Sequence, residues 1–315
     1  MSSPSSPPDS RPSAPIDLHR VRRLFDAPGR IADSDFLRRE IAARMHERLG
    51  LVKAQPQRVL DLGCGDGADL AMLQEHYPQA QVLGLDASLP LLSAAQRKQS
   101  EATSSLNRML RKLLPARGGA RLGAGPGLVC GDFAQLPMQA ASADLVWSNL
   151  ALHWHPLPDR IFAEWRRVLR VDGLLMFSCF GPDTFREIRA AFAAVDGAAH
   201  ALSFVDMHDL GDMLVNTGFS TPVMDMETLT VTYDSVHKLL ADVRAWGGNP
   251  LLTRRRGLVG RRDWKAVEDA LAAGRRADGR LALTFEIVYG HAFRPEPTRT
   301  ASGESIIRLD LNKKR

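Results

Sequence analysis

The segment Val59-Leu60-Asp61-Leu62-Gly63-Cys64-Gly65-Asp66-Gly67 constrains this chain more than any other. It reads as a short apolar strand ending in Asp61, a glycine-rich turn, and a helix beginning near Ala68. Glycines at alternate positions let the backbone turn sharply and approach a ligand where a Cβ would clash. The helix behind the turn offers unpaired N–H groups. The spacing differs from the G-x-G-x-x-G of a dinucleotide site. Asp61 at the strand end would repel a pyrophosphate and attract an ammonium or sulfonium.

Three further strand ends carry matching chemistry. Gln81–Leu85 reads as a strand ending in Asp86, placed to hydrogen-bond ribose hydroxyls. Leu128–Cys130 reads as a strand running to Asp132-Phe133, with Leu136-Pro137 after it. Ala143–Ser148 reads as a strand followed by Asn149. The set resembles the motifs of S-adenosylmethionine (SAM)-dependent methyltransferases. That resemblance implies a SAM site built from Asp61, Gly63, Cys64, Gly65, Gly67, Asp86, Ala87, Asp132, Phe133 and Asn149. It also implies that Asp132 meets the adenine amino group and its apolar neighbour the ring.

From Arg58 to Ser178 strand and helix patterns alternate, which predicts a parallel sheet covered on both faces. The expected fold is α/β, a Rossmann-like seven-stranded class I methyltransferase sheet with a helical lid insertion. Residues 1–15, rich in Ser and Pro with no apolar run, are expected to be a disordered tail rather than a secretory signal. One methyltransferase domain is expected over 16–295, and a polar tail over 296–315. Within the domain, 16–55 reads as an N-terminal helical lid, with Phe36, Leu37, Ile41, Met45 and Leu49 at helical spacing. Residues 97–127 read as an inserted basic loop, 235–283 as a helical lid, and Pro222–Tyr233 and Leu283–Phe293 as a closing antiparallel pair. Leu174–Cys179, entered through an Asp172-Gly173 turn, reads as a buried strand. Cys64, Cys130 and Cys179 lack metal spacing and read as buried free thiols of a cytoplasmic protein. His208 and His291 have no partner at ligand spacing, so no metal is expected.

The acceptor must be read from other segments. Leu152-His153-Trp154, Phe180-Gly181-Pro182-Asp183-Thr184, Phe204–Gly211 and Thr284–His291 form a distinctive series. Together they resemble the malonyl-[acyl-carrier-protein] O-methyltransferases of biotin synthesis, the BioC family, from about Val21 to Pro295. The Phe-Gly-Pro-Asp-Thr run is shared with methyltransferase-like assembly factors of respiratory complex I, which resemble arginine hydroxylases. An RNA methyltransferase is a third possibility raised by the basic clusters, without the aromatic-interleaved strand of RNA-recognition modules. Many family members carry a Tyr-Asp pair after the N-terminal Phe-Asp. Here Phe25-Asp26 leads to Ala-Pro-Gly-Arg-Ile-Ala-Asp33 without a tyrosine, so the lid must close differently or the acceptor differ.

The resemblance implies a malonyl carboxylate as nucleophile and an acyl carrier protein as partner; no stretch reaches the ~18 uninterrupted apolar residues of a membrane helix, so no membrane is expected, and nucleic acid ranks last as a partner. His153 and Trp154, after the fourth strand, are the candidates for positioning the acceptor; no catalytic residue is otherwise assigned. The net charge is +5. Arg254, Arg255, Arg256, Arg261 and Arg262 flank a glycine turn and could dock an acidic carrier by electrostatic steering. Trp246 and Trp264 read as packing residues, and Asp183 as the cap of a helix starting near Thr184.

Overall fold

The computed structural model describes residues 14–297 except 28, 30–34, 103–125, 247 and 258. Seven strands form one sheet: β1 (Arg58–Leu62), β2 (Gln81–Asp86), β3 (Gly127–Cys130), β4 (Ala143–Ser148), β5 (Leu169–Phe180), β6 (Ser220–Tyr233) and β7 (Leu281–Phe293). Their order is β3-β2-β1-β4-β5-β7-β6. The first five pair in parallel, and β7 runs antiparallel between β5 and β6. The expected α/β class and the closing antiparallel pair are both present.

Side-chain alternation along the strands divides the core between the two faces. Val59, Leu145, Trp147, Leu174 and Met176 face one layer, while Leu60, Val146, Leu175 and Phe177 face the other. The first layer takes helix α2 (Asp35–Leu49), which buries Leu37, Ile41, Met45 and Leu49 at four-residue spacing. Phe36, read as part of that stripe, instead stays 48% exposed and tilts against Trp246. The second layer takes helix α5 (Pro158–Val168), whose Ile161, Phe162, Trp165 and Val168 are fully buried. The remaining helices are α1 (Leu18–Phe25), α3 (Leu70–His76), α4 (Leu89–Ala102), α6 (Arg186–Ala193), α7 (Met207–Thr217), α8 (Val236–Ala245) and α9 (Arg261–Ala273).

Several local readings are corrected. The helix after the glycine turn begins at Leu70 rather than near Ala68, because Gly67 has φ +74° and the Asp69 side chain does not cap the helix. β5 begins at Leu169; the Asp172-Gly173 turn is a bulge inside it, with Asp172 at φ +61° and the register shifting between Ala143 and Leu145. Asp183 caps nothing. Helix α6 starts at Arg186 behind a left-handed Phe185 (φ 63°), and Asp183 is held through its N–H by Glu286 Oε2 at 2.7 Å. Thr184 Oγ1 donates to the Glu286 carbonyl and accepts from its N–H, both at 3.0 Å. The Phe-Gly-Pro-Asp-Thr run and the Thr-Phe-Glu-Ile run of the sequence are thus two sides of one joint.

Cys64 and Cys179 are buried free thiols, but Cys130 is exposed, because β3 is the sheet edge. Among the described residues, the N-terminal lid region holds helices α1 and α2. Part of the expected tail, Ala14, is packed with Ile16, Trp154 and Leu251. Residues 1–13, most of the loop at 97–127, and 298–315 of the C-terminal tail lie outside the described residues. Among the described residues, no helix is long and apolar enough to cross a membrane, and no His/Cys/Asp/Glu group is arranged to hold a metal ion.

Candidate active site

Chain order reverses between β1 and β4, and ligands of open α/β sheets bind at the carboxyl ends of strands at such a point. Here that places the glycine turn after β1 beside Asn149 after β4. Gly63, Gly65 and Gly67 all have positive φ (79°, 56° and 74°). A Cβ on Gly63 would lie 2.4 Å from that of Ala151, so this turn can approach the β4 end only as glycine. The Gly63 and Cys64 N–H groups donate to the Leu85 carbonyl at 2.8 and 3.1 Å, and Gly65 N–H donates to Asp86 Oδ2 at 2.9 Å.

Asp61 is 2% exposed, and its Oδ2 is buried without any hydrogen-bond partner. Burial first, then the charges of Asp69 and Asp86, push its carboxyl well above the usual range. Asp69, also raised by burial, accepts from Trp147 Nε1 at 3.0 Å and Asn149 Nδ2 at 3.1 Å. Asn149 is further tied to Ser178, whose hydroxyl donates to Asn149 Oδ1 at 2.9 Å. The result is a fixed, acidic, buried recess with an orphaned carboxyl oxygen. A ligand bearing an ammonium or sulfonium fits it, and a pyrophosphate does not.

Beyond this recess lies a larger cleft enclosing about 920 Å³ of empty space, partly open to solvent. Asp86, Ala87, Ser88, Leu91 and Phe133 line it. Asp86 accepts from Gly65 N–H and Ser88 N–H, and burial raises its carboxyl. Trp154, Phe180, Trp246 and His153 line it as well, as do Val21, Arg22, Phe25, Leu37 and Arg38 of α1 and α2. Trp246 therefore both packs, edge-on to Phe285 at 4.5 Å, and walls the cleft. Trp264 does not line it.

The fold brings together Gly63, Gly65, Asp86, Ala87, Phe133, Asn149, His153 and Trp154 in the cleft, and Asp61 and Cys64 in the adjoining recess. Two expected residues stand apart. Gly67 packs toward Ala95 and Leu70 beneath the turn. Asp132 lines neither space; its carboxylate is 3.1 Å from Arg22 Nη2 and accepts the Ala134 N–H. The sequence reading missed Arg38, Asp69 and Ser178. Arg38 reaches from α2 to pair with Asp35 and lies 3.7 Å from Asp66, with its Nε buried and unpartnered. Only Asp69 had a signal, as a second acid in the turn.

His153 sits deep in the wall. Burial pushes its pKa down to about 3, so the ring is neutral. Its Nδ1 accepts from Phe180 N–H at 3.4 Å, which leaves the proton on Nε2, and Nε2 is buried with no partner.

Residues 60–177 match the family described as "Methyltransferase domain". The malonyl-[acyl-carrier protein] O-methyltransferase of Laribacter hongkongensis is 47% identical over 281 residues, covering 89% of this chain and 90% of that protein. Its namesake from Gallionella capsiferriformans is 43% identical, covering 94% and 97%. The chain belongs to the malonyl-[acyl-carrier protein] O-methyltransferase family. The α/β fold described above also appears in the solved structure of the YcgJ protein of Bacillus subtilis. That structure has a TM-score of 0.55 at 14% identity and covers 80% of this chain and 98% of its own.

Proposed function

We propose that this protein transfers the methyl group of SAM to the free carboxylate of a malonyl group carried on an acyl carrier protein. Identity to the Laribacter relative across 89% of the chain carries the acceptor reading. The orphaned Asp61 carboxylate supports the cofactor reading. Asp61 would hold the cationic end of SAM, Asp86 the ribose hydroxyls, and Phe133 with Ala87 the adenine. Asp132 would meet the adenine edge only after releasing Arg22.

A malonyl carboxylate is already ionised at neutral pH, so no general base is needed. The protein must place one oxygen in line with the methyl at roughly 3 Å and remove its water. The apolar wall of Phe25, Leu37, Trp154, Phe180 and Trp246 supplies the dry surface. Arg22 and Arg38 bring cationic donors into the cleft, and an arginine fork suits a carboxylate. His153 Nε2–H is a neutral donor beside the acceptor, positioning it without competing for the methyl. The exposed Arg255, Arg256, Arg261 and Arg262, with Arg254 at their edge, offer an acidic carrier a docking face in the cytoplasm.

Incubation with labelled SAM and malonyl-carrier protein should give a base-labile methyl ester. A peptidyl arginine and RNA, tested alongside, should stay unlabelled. Label in either, with none in the malonyl carrier, would overturn the reading.

A further inference from the structure

A second recess lies on the other side of helix α1. Val21, Arg22 and Phe25 of that helix face the cleft, whereas Arg20 faces a polar, solvent-open hollow with His200, Asn249, Arg254, Arg255 and Arg256. The hollow is built by joining two chain segments. Ile16 bridges to Leu251, Asp17 N–H donates to the Pro250 carbonyl at 3.0 Å, and Leu252 N–H donates to the Pro15 carbonyl at 2.8 Å. This staple holds Arg20 against the 249–256 segment.

The charge inside is not balanced. Arg20 Nε is buried and has no hydrogen-bond partner. Burial, then the charges of Arg254 and Arg23, lower the Arg20 pKa, and Asp17 offsets them only in part. The guanidinium of Arg254 donates to the Leu251 carbonyl, not to an acid. Asp196 is engaged by Arg255 at 2.8 Å and His200 at 2.7 Å, and Asp263 lies 3.8 Å from Arg255. Arg256 makes no ion pair among the described residues. A stapled hollow with convergent arginines and a buried, unsatisfied donor is built for a compact, multiply charged oxyanion.

We propose that the hollow formed by Arg20, Arg254 and Arg256 binds a phosphate ester, specifically the phosphodiester of the acyl carrier's phosphopantetheine arm. This rests on the acceptor reading above and adds to it. Carrier docking by Arg255, Arg261 and Arg262 would be a surface encounter, whereas Arg254 and Arg256, together with Arg20, would recognise the arm itself. The phosphate would sit on one side of α1 while the arm passes the helix and delivers the malonyl group to the cleft on the other.

Two thioesters separate the arm's phosphate from everything else: malonyl-phosphopantetheine, and malonyl-pantetheine, which lacks only the phosphate. The wild type should favour the first by about ten- to a hundredfold in kcat/KM, the worth of one or two charge-assisted hydrogen bonds. In Arg20→Gln that ratio should collapse toward one, carried by KM, and Arg20→Lys should restore part of it. SAM affinity and the melting temperature report that the variant is folded. A wild type without the preference, or a variant that keeps it, would overturn the site. Calorimetry with phosphopantetheine alone needs no turnover. Binding that Arg20→Gln abolishes supports the hollow even if no malonyl thioester is methylated, and that pattern would indict the acceptor reading instead. No binding to the wild type refutes the hollow itself.

Discussion

Replacing Asp61 by Asn should make the protein more stable and less able to bind its cofactor. Asp61 is 2% exposed, its Oδ2 has no partner, and Asp69 and Asp86 repel it. In the free protein its ionised form is therefore disfavoured by the fold, although Arg38 lines the same recess. An unsatisfied buried polar group costs about 1–3 kcal/mol, and more when charged. Asn keeps the shape and removes the charge, so about 1–2 kcal/mol should be recovered in the free protein. At roughly 2–3 °C per kcal/mol for a chain of this size, the melting temperature at neutral pH should rise by about 2–6 °C. The pH dependence follows from the raised carboxyl. Its contribution to stability is fully present below the ordinary carboxyl pKa and is lost as pH rises through the raised value. The gap between variant and wild type should thus open with rising pH and close in acid. Cofactor binding moves the other way. Removing one partner of a buried ion pair costs about 3–5 kcal/mol, so SAM should bind about 10²–10⁴-fold more weakly. Thermal melts with and without SAM, and calorimetry, read both effects. A variant that melts lower than wild type, or binds SAM within threefold of it, would refute the argument that Asp61 is held for a cation.

Other substitutions probe the remaining parts. His153 should show no titration in the pH–rate profile between pH 5 and 9, since its pKa lies at about 3. Because its folded pKa is lowered, its contribution to stability is present above the unfolded value and fades as pH falls through about 3; His153→Gln should flatten the acid limb of a melting-temperature series. Gly181→Ala places a Cβ 2.6 Å from Glu286 Oε1, inside the joint between the two distinctive sequence runs. A loss of about 1–3 kcal/mol in denaturant unfolding is expected, and an unchanged midpoint would deny that the joint is rigid. Phe162→Ala, in a fully buried position between Trp165 and Phe177, should cost about 3–5 kcal/mol with SAM affinity retained in the folded fraction.

The sheet and the glycine turn are legible in the residues alone, since both rest on short-range rules. Glycines at 63, 65 and 67 need left-handed backbone, and strands closed by Asp61, Asp86 and Asn149 end with polar groups at the carboxyl edge of a parallel sheet. Those positions converge because parallel strands all end on the same side. The lids were decided by the tertiary structure. Arg38 enters the site because α2 crosses the glycine turn, and no spacing in the sequence distinguishes it from Arg39, which is 69% exposed. Asp183 and Glu286 are 103 residues apart and meet only because β7 inserts beside β5. Asp132 follows its strand as expected, yet its partner is an arginine from the N-terminal helix. Contacts between distant segments are set by how the elements pack and leave no local period. The walls of the cleft and the arginine hollow behind α1 are therefore products of the fold, while the glycine turn is written in nine consecutive residues.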